Sequence, residues 1–489
     1  MNQLWITKPL DKLMAESTGE GNQLKRTLSA TSLVALGIGA IIGAGLFSLT
    51  GIAAAEHAGP AVTISFVLAA FGCAFAGLCY AEFASMIPIA GSAYTYSYAT
   101  MGEFAAWIIG WDLVLEYALG AATVAVSWSR YLLEFLGGFG IHLPVELVCS
   151  PFEEVTLSDG TLVTGGLINL PAILVVCLLS LLLIRGTEGS ALMNNILVTL
   201  KLLVVVMFIT LGWSHIDPAN YTPYIPANTG EYDHFGWTGI ATGAAVVFFA
   251  FIGFDAVSTA AQEAKHPQRD MPIGILGSLV ICTILYVLFA HVMTGLVNYT
   301  VFEGDAKPAA TAFAVTGYDF LQNALILAIL AGYTSVMLVM LLGQSRVFYT
   351  MSKDGLLPPF FSDIHKKFQT PWKTNLFFMV FVSLFAGFVP VSDLGHMVSI
   401  GTLFAFCLVC AGVWLMRVRM PHIHRAFKTP LVPFVPIMGI VVCLYLMYSL
   451  PIESWYRLAI WLAIGLGIYF FYGKKHSGMN PDNPENIES

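Results

Sequence analysis

Hydrophobic positions in this chain do not alternate with polar ones. They run together in long blocks, and about twelve blocks approach the roughly 20 residues that an α-helix needs to cross a ~30 Å hydrocarbon core. The blocks lie near 30–55, 61–86, 103–136, 168–185, 190–214, 237–263, 272–297, 320–350, 374–390, 394–416, 433–450 and 455–473. This pattern predicts an all-α integral membrane protein with 12 transmembrane helices. The polar stretches between blocks are short, apart from 137–167 and about 215–236. The first of these holds Glu146, Glu153, Glu154 and Asp159 and no basic residue, as suits a solvated surface. Residues 353–373 read as a short amphipathic connector, and 87–94 as an interfacial bend.

Two blocks contain interruptions where lipid would demand continuous helix. Gly37-Ile38-Gly39-Ala40-Ile41-Ile42-Gly43-Ala44-Gly45 puts four glycines within nine residues of the first block. Phe249-Ala250-Phe251-Ile252-Gly253-Phe254-Asp255 interrupts the sixth. Unpaired peptide groups cost several kcal/mol in hydrocarbon, so such a stretch must be buried in protein or line a wet cavity. The glycines alone would also suit a helix-packing face. Paired interruptions at corresponding positions of two five-helix halves point instead to the midplane site of a secondary transporter. The halves are 29–214 and 237–417, with an N-terminal segment 1–28, two further spans in 433–473 and a tail 474–489. An odd number of crossings per half inverts the second half, which supplies outward- and inward-open states around one fixed site.

Composition agrees, with 57% hydrophobic and 11% charged residues and a mean hydropathy of +0.77. Threading the chain through twelve spans puts 18 of its 22 Lys and Arg residues on one side and only Lys307 and Arg457 on the other, with Arg130 and Lys201 inside spans. Basic residues concentrate in cytoplasmic loops, so both termini are expected in the cytoplasm. The polar first 28 residues do not resemble a removable signal peptide. Cys73, Cys79, Cys177, Cys282 and Cys407 sit in apolar runs and suggest no disulfide framework. Trp107, Trp111, Trp213, Trp237 and Trp455 read as interface anchors.

The interruptions also suggest a ligand. Freed N–H groups of Gly43, Ala44 and Gly45 at the start of a half-helix favour an anion such as a carboxylate. Carbonyls of Phe249, Ala250 and Ile252 at the end of another would receive an ammonium. Together they describe an α-amino acid, with Phe249 as an aromatic gate and Phe251 as further cover. Asp255 would cap or brace the broken helix or, less directly, face the ligand. Lys201 lies about 15 Å from either end of its span, too deep to reach water. Desolvation disfavours its ammonium while backbone carbonyls favour it. Two conformations that balance these effects differently would couple proton binding to transport; a permanently charged structural lysine is the alternative. In span three, Asp112 and Glu116 share a face, with Glu116 the stronger candidate because Asp112 stands nearer the interface. Thr334 and Ser335 offer hydroxyls toward a cation site whose place the Lys201 ammonium would take. Walker A, metal-type His/Cys spacing and Ser/His/Asp arrangements are absent from the sequence. No enzyme, nucleic-acid partner or cofactor is expected, protons being the coupling ion. Oligomeric state stays open.

At these motifs, and at Gly343-Gln344-Ser345-Arg346-Val347-Phe348-Tyr349 running on to Gly355-Leu356-Leu357-Pro358, the chain resembles the amino acid–polyamine–organocation superfamily, in particular the bacterial form of the cationic amino acid transporter family. The resemblance implies a LeuT-like five-plus-five inverted repeat and proton-coupled import of L-amino acids across a bacterial inner membrane. It also implies that Lys201 lies beside the first broken helix. Ile41, Ala44 and Gly45 would then face the substrate carboxylate, Phe249, Ala250 and Ile252 its amine, and Glu116 and Met337 the pocket wall. A hydroxyl frequent at the position of Ala44 is missing here, which leaves more of the binding to the backbone. Neutral and cationic substrates stay equally open, as does an exchanger that needs no proton gradient.

Overall fold

A computed structural model describes residues 3–9, 28–87, 92–156, 162–186, 191–261, 264–305 and 307–480. Among these, eight helices are long and apolar enough to cross a membrane, and four shorter apolar ones (Ala30–Ile41, Leu170–Arg185, Trp372–Phe388 and Phe434–Ser449) fall in the remaining hydrophobic blocks. The main helices in chain order are α1 Ala30–Ile41, α2 Val62–Met86, α3 Ser92–Thr100, α4 Glu103–Val114, α5 Gly120–Gly137, α6 Leu170–Arg185, α7 Ala191–Trp213, α8 Gly236–Val247, α9 Ala256–Thr259 and α10 Pro267–Leu296. They continue as α11 Pro308–Ala314, α12 Asp319–Lys353, α13 Trp372–Phe388, α14 Val391–Arg419, α15 Phe434–Ser449 and α16 Ile452–Ile468.

Local chemistry starts several of them. The Ser29 hydroxyl accepts the Ser32 N–H to open α1, and Asn169 accepts the Ala172 N–H ahead of Pro171 in α6. Proline occupies the first turn of α10 and α11, where its missing N–H is no loss. The helices pack in corresponding pairs: α10 lies on α2, α12 on α5, and α13 on α6. The segment after the break in the first block touches the turn Phe248–Phe251 in the sixth.

The helical architecture is as expected, and the only strands among the described residues, Glu154–Thr156 and Leu162–Thr164, pair as an antiparallel hairpin in the long loop, Val155 opposite Val163. The 353–373 connector has the turn chemistry expected of it: α12 stops at Lys353, Gly355 takes φ +78°, and a 3₁₀ turn follows at Pro359–Ser362. Two expectations need correction. Of the bend at 87–94, residues 88–91 lie outside the described residues, and Ser92 already begins α3. Trp107 and Trp111 are not interface anchors. They are 1% and 8% exposed, and their indole N–H groups donate to the carbonyls of Gly465 and Trp461 on α16. Trp111 stacks on Trp461 at 4.5 Å, and the Trp461 indole returns a bond to the Trp111 carbonyl. Gly465 allows this, because a Cβ there would overlap the Trp111 ring.

Both ends of the described chain meet on one face. Lys8 pairs with Asp354 at 2.8 Å, Gly478 N–H donates to the Asp354 carbonyl, and Ser477 bonds Glu103. Residues 3–9 are therefore docked against the rest of the protein.

Trp111→Ala, which empties the α4–α16 contact, is expected to cost about 3–5 kcal/mol. Trp213→Ala, at a position 53% exposed, should change stability by no more than about 0.5 kcal/mol. Thermal unfolding of the two purified variants in detergent checks the contrast.

Candidate functional site

The first break is two residues long. Helix α1 ends at Ile41, Ile42 turns extended with ψ 105°, and helical winding resumes at Ala44, running into a π-helical turn at Gly45–Leu49. The N–H groups of Gly43 and Ala44 donate to no protein acceptor among the described residues. Next along the chain, the Gly43 carbonyl accepts from Leu46 and Phe47.

In the sixth block α8 tightens into the 3₁₀ turn Phe248–Phe251, Ile252 becomes extended with ψ 136°, and α9 begins at Ala256. Gly253 supplies φ +113°, in the region where a side chain is strained. A Cβ there would also come within 2.9 Å of the Ala40 carbonyl. The two breaks thus meet backbone to backbone. At Gly45 a Cβ would overlap the Ala250 Cα, so glycine is required by proximity to the opposite break.

Three side chains satisfy the carbonyls that these breaks release. Lys201 on α7, only 2% exposed, points its ammonium at the Gly39 carbonyl, 2.6 Å away. Its stem passes over Gly332 on α12, where a Cβ would sit 3.0 Å from Cε. The Tyr286 hydroxyl on α10 lies 2.9 Å from both the Ile41 and the Ala250 carbonyls, joining one break to the other. Tyr131 on α5 donates to the Phe47 carbonyl at 2.6 Å. Sequence reading missed Tyr286 and Tyr131. The available signal was a hydroxyl deep within an apolar run, as in Leu285-Tyr286-Val287-Leu288-Phe289, where lipid offers no acceptor.

A carboxylate group occupies the other flank. Asp112, Glu116 and Asp255 are all fully buried. Tyr117 donates to Asp255 Oδ2 at 2.6 Å, while both oxygens of Asp112 lack a hydrogen-bond partner among the described residues. Glu116 faces the Asp255 carboxyl and the Thr402 hydroxyl, with Asp112 nearby. It lies on the π-helical turn Leu115–Leu119 that joins α4 to α5, a distortion frequent at functional sites. Asp112 is therefore no interface residue: it sits in the core, where Gly401 on α14 leaves room for Oδ1. Burying such groups unpaired is costly and marks a functional region.

Ile41, Ala44, Phe249, Ala250, Ile252 and Met337 are each no more than 4% exposed, and Gly43 and Gly45 are buried with them. Phe249 keeps a position free of ring stacking, whereas Phe251 packs on Phe66 and Tyr286 at 6.2 and 5.3 Å and belongs to the helix packing rather than to a gate. Of the presumed ammonium acceptors, the Phe249 carbonyl also takes the Ile252 N–H and that of Ala250 the Tyr286 hydroxyl. The Ile252 carbonyl accepts from no described backbone donor. Thr334 and Ser335 turn their hydroxyls back to carbonyls of their own helix, at Leu330 and Gly332, and so do not point at the first break.

Tyr286→Phe removes the single O–H shared between two buried carbonyls, for an expected loss of about 1–3 kcal/mol. A lowered unfolding temperature relative to wild type, measured in detergent, checks this; an unchanged temperature would show that the bridge carries no weight.

Residues 28–469 match the amino acid permease family. The chain is 46% identical over 473 residues to a branched-chain amino acid permease of Bacillus subtilis (strain 168), covering 97% of this chain and 98% of that protein. It is 41% identical to the methylthioribose transporter of the same organism, over 98% and 100% of the two chains. It is also 31% identical to cationic amino acid transporter 4, vacuolar, of Arabidopsis thaliana, over 98% and 97%. With two interrupted helices bridged by a tyrosine, the first of them pinned by a lysine, and with full-length similarity to these permeases, the chain belongs to the amino acid permease family of the amino acid–polyamine–organocation superfamily.

Proposed function

We propose that this protein is a proton-coupled symporter that imports L-amino acids across the cytoplasmic membrane by alternating access. The carrying observation is the meeting of the two breaks, with the unpaired N–H groups of Gly43 and Ala44 on one strand and the Ile252 carbonyl on the other. Backbone donors at a half-helix start suit the carboxylate, and carbonyls at a half-helix end suit the amine. Side-chain chemistry then decides among substrates, with Met337 and Glu116 as the wall. Similarity to permeases for branched-chain and for cationic amino acids supports a broad range.

Twelve spans in a five-plus-five inverted repeat are part of the same reading. Its support is the pairing of α2 with α10, α5 with α12 and α6 with α13, each helix packing on its counterpart five spans later. The two ends of the described chain share one face through Lys8, Asp354 and Gly478, and the basic-residue asymmetry supports a cytoplasmic place for that face. The transporter acts as a carrier, without a chemical step.

Lys201 is the coupling residue in this reading. Its ammonium holds the Gly39 carbonyl; losing the proton removes a charge-assisted bond and frees the half-helix before the break to move. The burial of the site residues from both faces fits a closed stage of such a cycle.

The test is uptake by proteoliposomes of a panel of L-amino acids, with methylthioribose added because one relative is named for it. One pH unit, inside alkaline, supplies about 1.4 kcal/mol per proton, enough for about tenfold accumulation at one-to-one coupling. Wild type should accumulate at least one amino acid to that extent, and Lys201→Ala should retain no accumulation above equilibrium. Counterflow that ignores pH and survives Lys201→Ala identifies an exchanger. Failure to take up any L-amino acid overturns the reading.

A further inference from the structure

The loop between α14 and α15 folds over a cavity of about 530 Å³ lined by Arg417, His422, His424, Arg425, Lys428 and Val432, with no acidic residue in its wall. Its floor is built. Glu82 on α2 is fully buried and takes two bonds from Arg417, through Nε and Nη2 at 2.8 Å each, and an ion pair from Arg425 Nε at 3.1 Å. The Thr429 N–H donates to the same carboxylate at 2.8 Å, and its hydroxyl ties the loop to the Leu78 carbonyl. The remaining nitrogens of Arg425 hold the carbonyls of Met416, Met420, Pro421 and Ile423. Both guanidinium groups are thereby fixed before any ligand arrives.

The charge does not balance. Arg417, Arg425 and Lys428 bring three positive charges, and among the described residues Glu82 is the single carboxylate in contact with them, which leaves an excess of two there beside two exposed histidines. Such a cavity attracts a compact multivalent oxygen acceptor, and phosphate meets arginine in that way. Its surroundings are apolar: Val418, Leu431 and Phe434 are 68%, 74% and 55% exposed, with Leu431 next to the cavity residue Val432. Exposed apolar residues therefore flank the loop in sequence, Val418 before it and Leu431 and Phe434 at its end. The loop follows two helices, α13 and α14, after the segment carrying Lys366 and Lys367, so both lie on the same face.

We propose that this cavity binds the phosphate of an anionic phospholipid, the headgroup held by Lys428, His422, His424 and the outer edge of Arg417, and the acyl chains lying along Val418, Leu431 and Phe434. A soluble phosphate shares the headgroup chemistry but gains nothing from that apolar flank. Basic pockets between transmembrane helices are the setting in which such headgroups are recognised, each basic residue near the surface contributing about fivefold in affinity.

The full-length protein, delipidated in detergent, is incubated with phosphatidylglycerol or phosphatidylcholine of matched acyl chains, and retained lipid is counted by native mass spectrometry. Expected is selective retention of phosphatidylglycerol and a rise in unfolding temperature with it. Lys428→Gln should lower its retention about fivefold, and the triple variant His422→Gln, His424→Gln, Lys428→Gln further. These positions are exposed and leave the Glu82 ion pairs intact, so folding is preserved. Lys366→Gln with Lys367→Gln, exposed on the same face, should leave retention unchanged. Equal retention of both lipids, equal retention by wild type and the triple variant, or an equal loss with the Lys366 and Lys367 pair overturns the proposal. Inorganic phosphate that stabilises the protein as much as phosphatidylglycerol does overturns the lipid assignment.

Discussion

Hydrocarbon offers a peptide group no hydrogen-bond partner, and this structure is organised around that fact. Opening two helices at depth releases carbonyls and N–H groups that the protein must itself answer. Lys201 answers at Gly39, Tyr286 at Ile41 and Ala250, and Tyr131 at Phe47. What stays unanswered at Gly43 and Ala44 is then informative, because satisfying the remaining donors by protein was evidently possible nearby. An anionic group from outside is the natural partner for such donors.

Proximity follows from the same requirement. For a single tyrosine hydroxyl to reach carbonyls on both broken helices, the two backbones must nearly touch, and only residues without a Cβ permit this at Gly45 and Gly253. The titratable side chains are then partitioned around the contact. Lys201 lies against the helix before the first break, whereas Asp112, Glu116 and Asp255 gather on the flank formed by the third and sixth spans.

The loop between α14 and α15 uses the opposite strategy. There the protein buries a carboxylate, Glu82, and surrounds it with more positive charge than it neutralises. A buried ion pair of this kind contributes little to stability by itself; it fixes the loop and α2 in one relative position and leaves the cation excess at the surface.

Sequence alone determined where the chain crosses lipid, where two of those crossings fail, and that Lys201 stands too deep to reach water. These are one-dimensional consequences of how many apolar residues follow one another, and hydrocarbon enforces them regardless of neighbours. The place of Lys201 beside the first break came from family likeness, and only tertiary structure selects Gly39 as its acceptor. A hydroxyl deep in an apolar run marks Tyr286, Tyr117 and Tyr131 as needing partners but not which ones; the acceptors, backbone carbonyls for Tyr286 and Tyr131 and Asp255 for Tyr117, come only from the tertiary structure. Trp107 and Trp111 misled for the converse reason: an indole suits both a membrane interface and a helix contact, and their spacing cannot say that α16 supplies carbonyl acceptors. Hydropathy encodes exposure to lipid or water, but not which helix lies opposite, and hydrogen bonds are decided by what lies opposite.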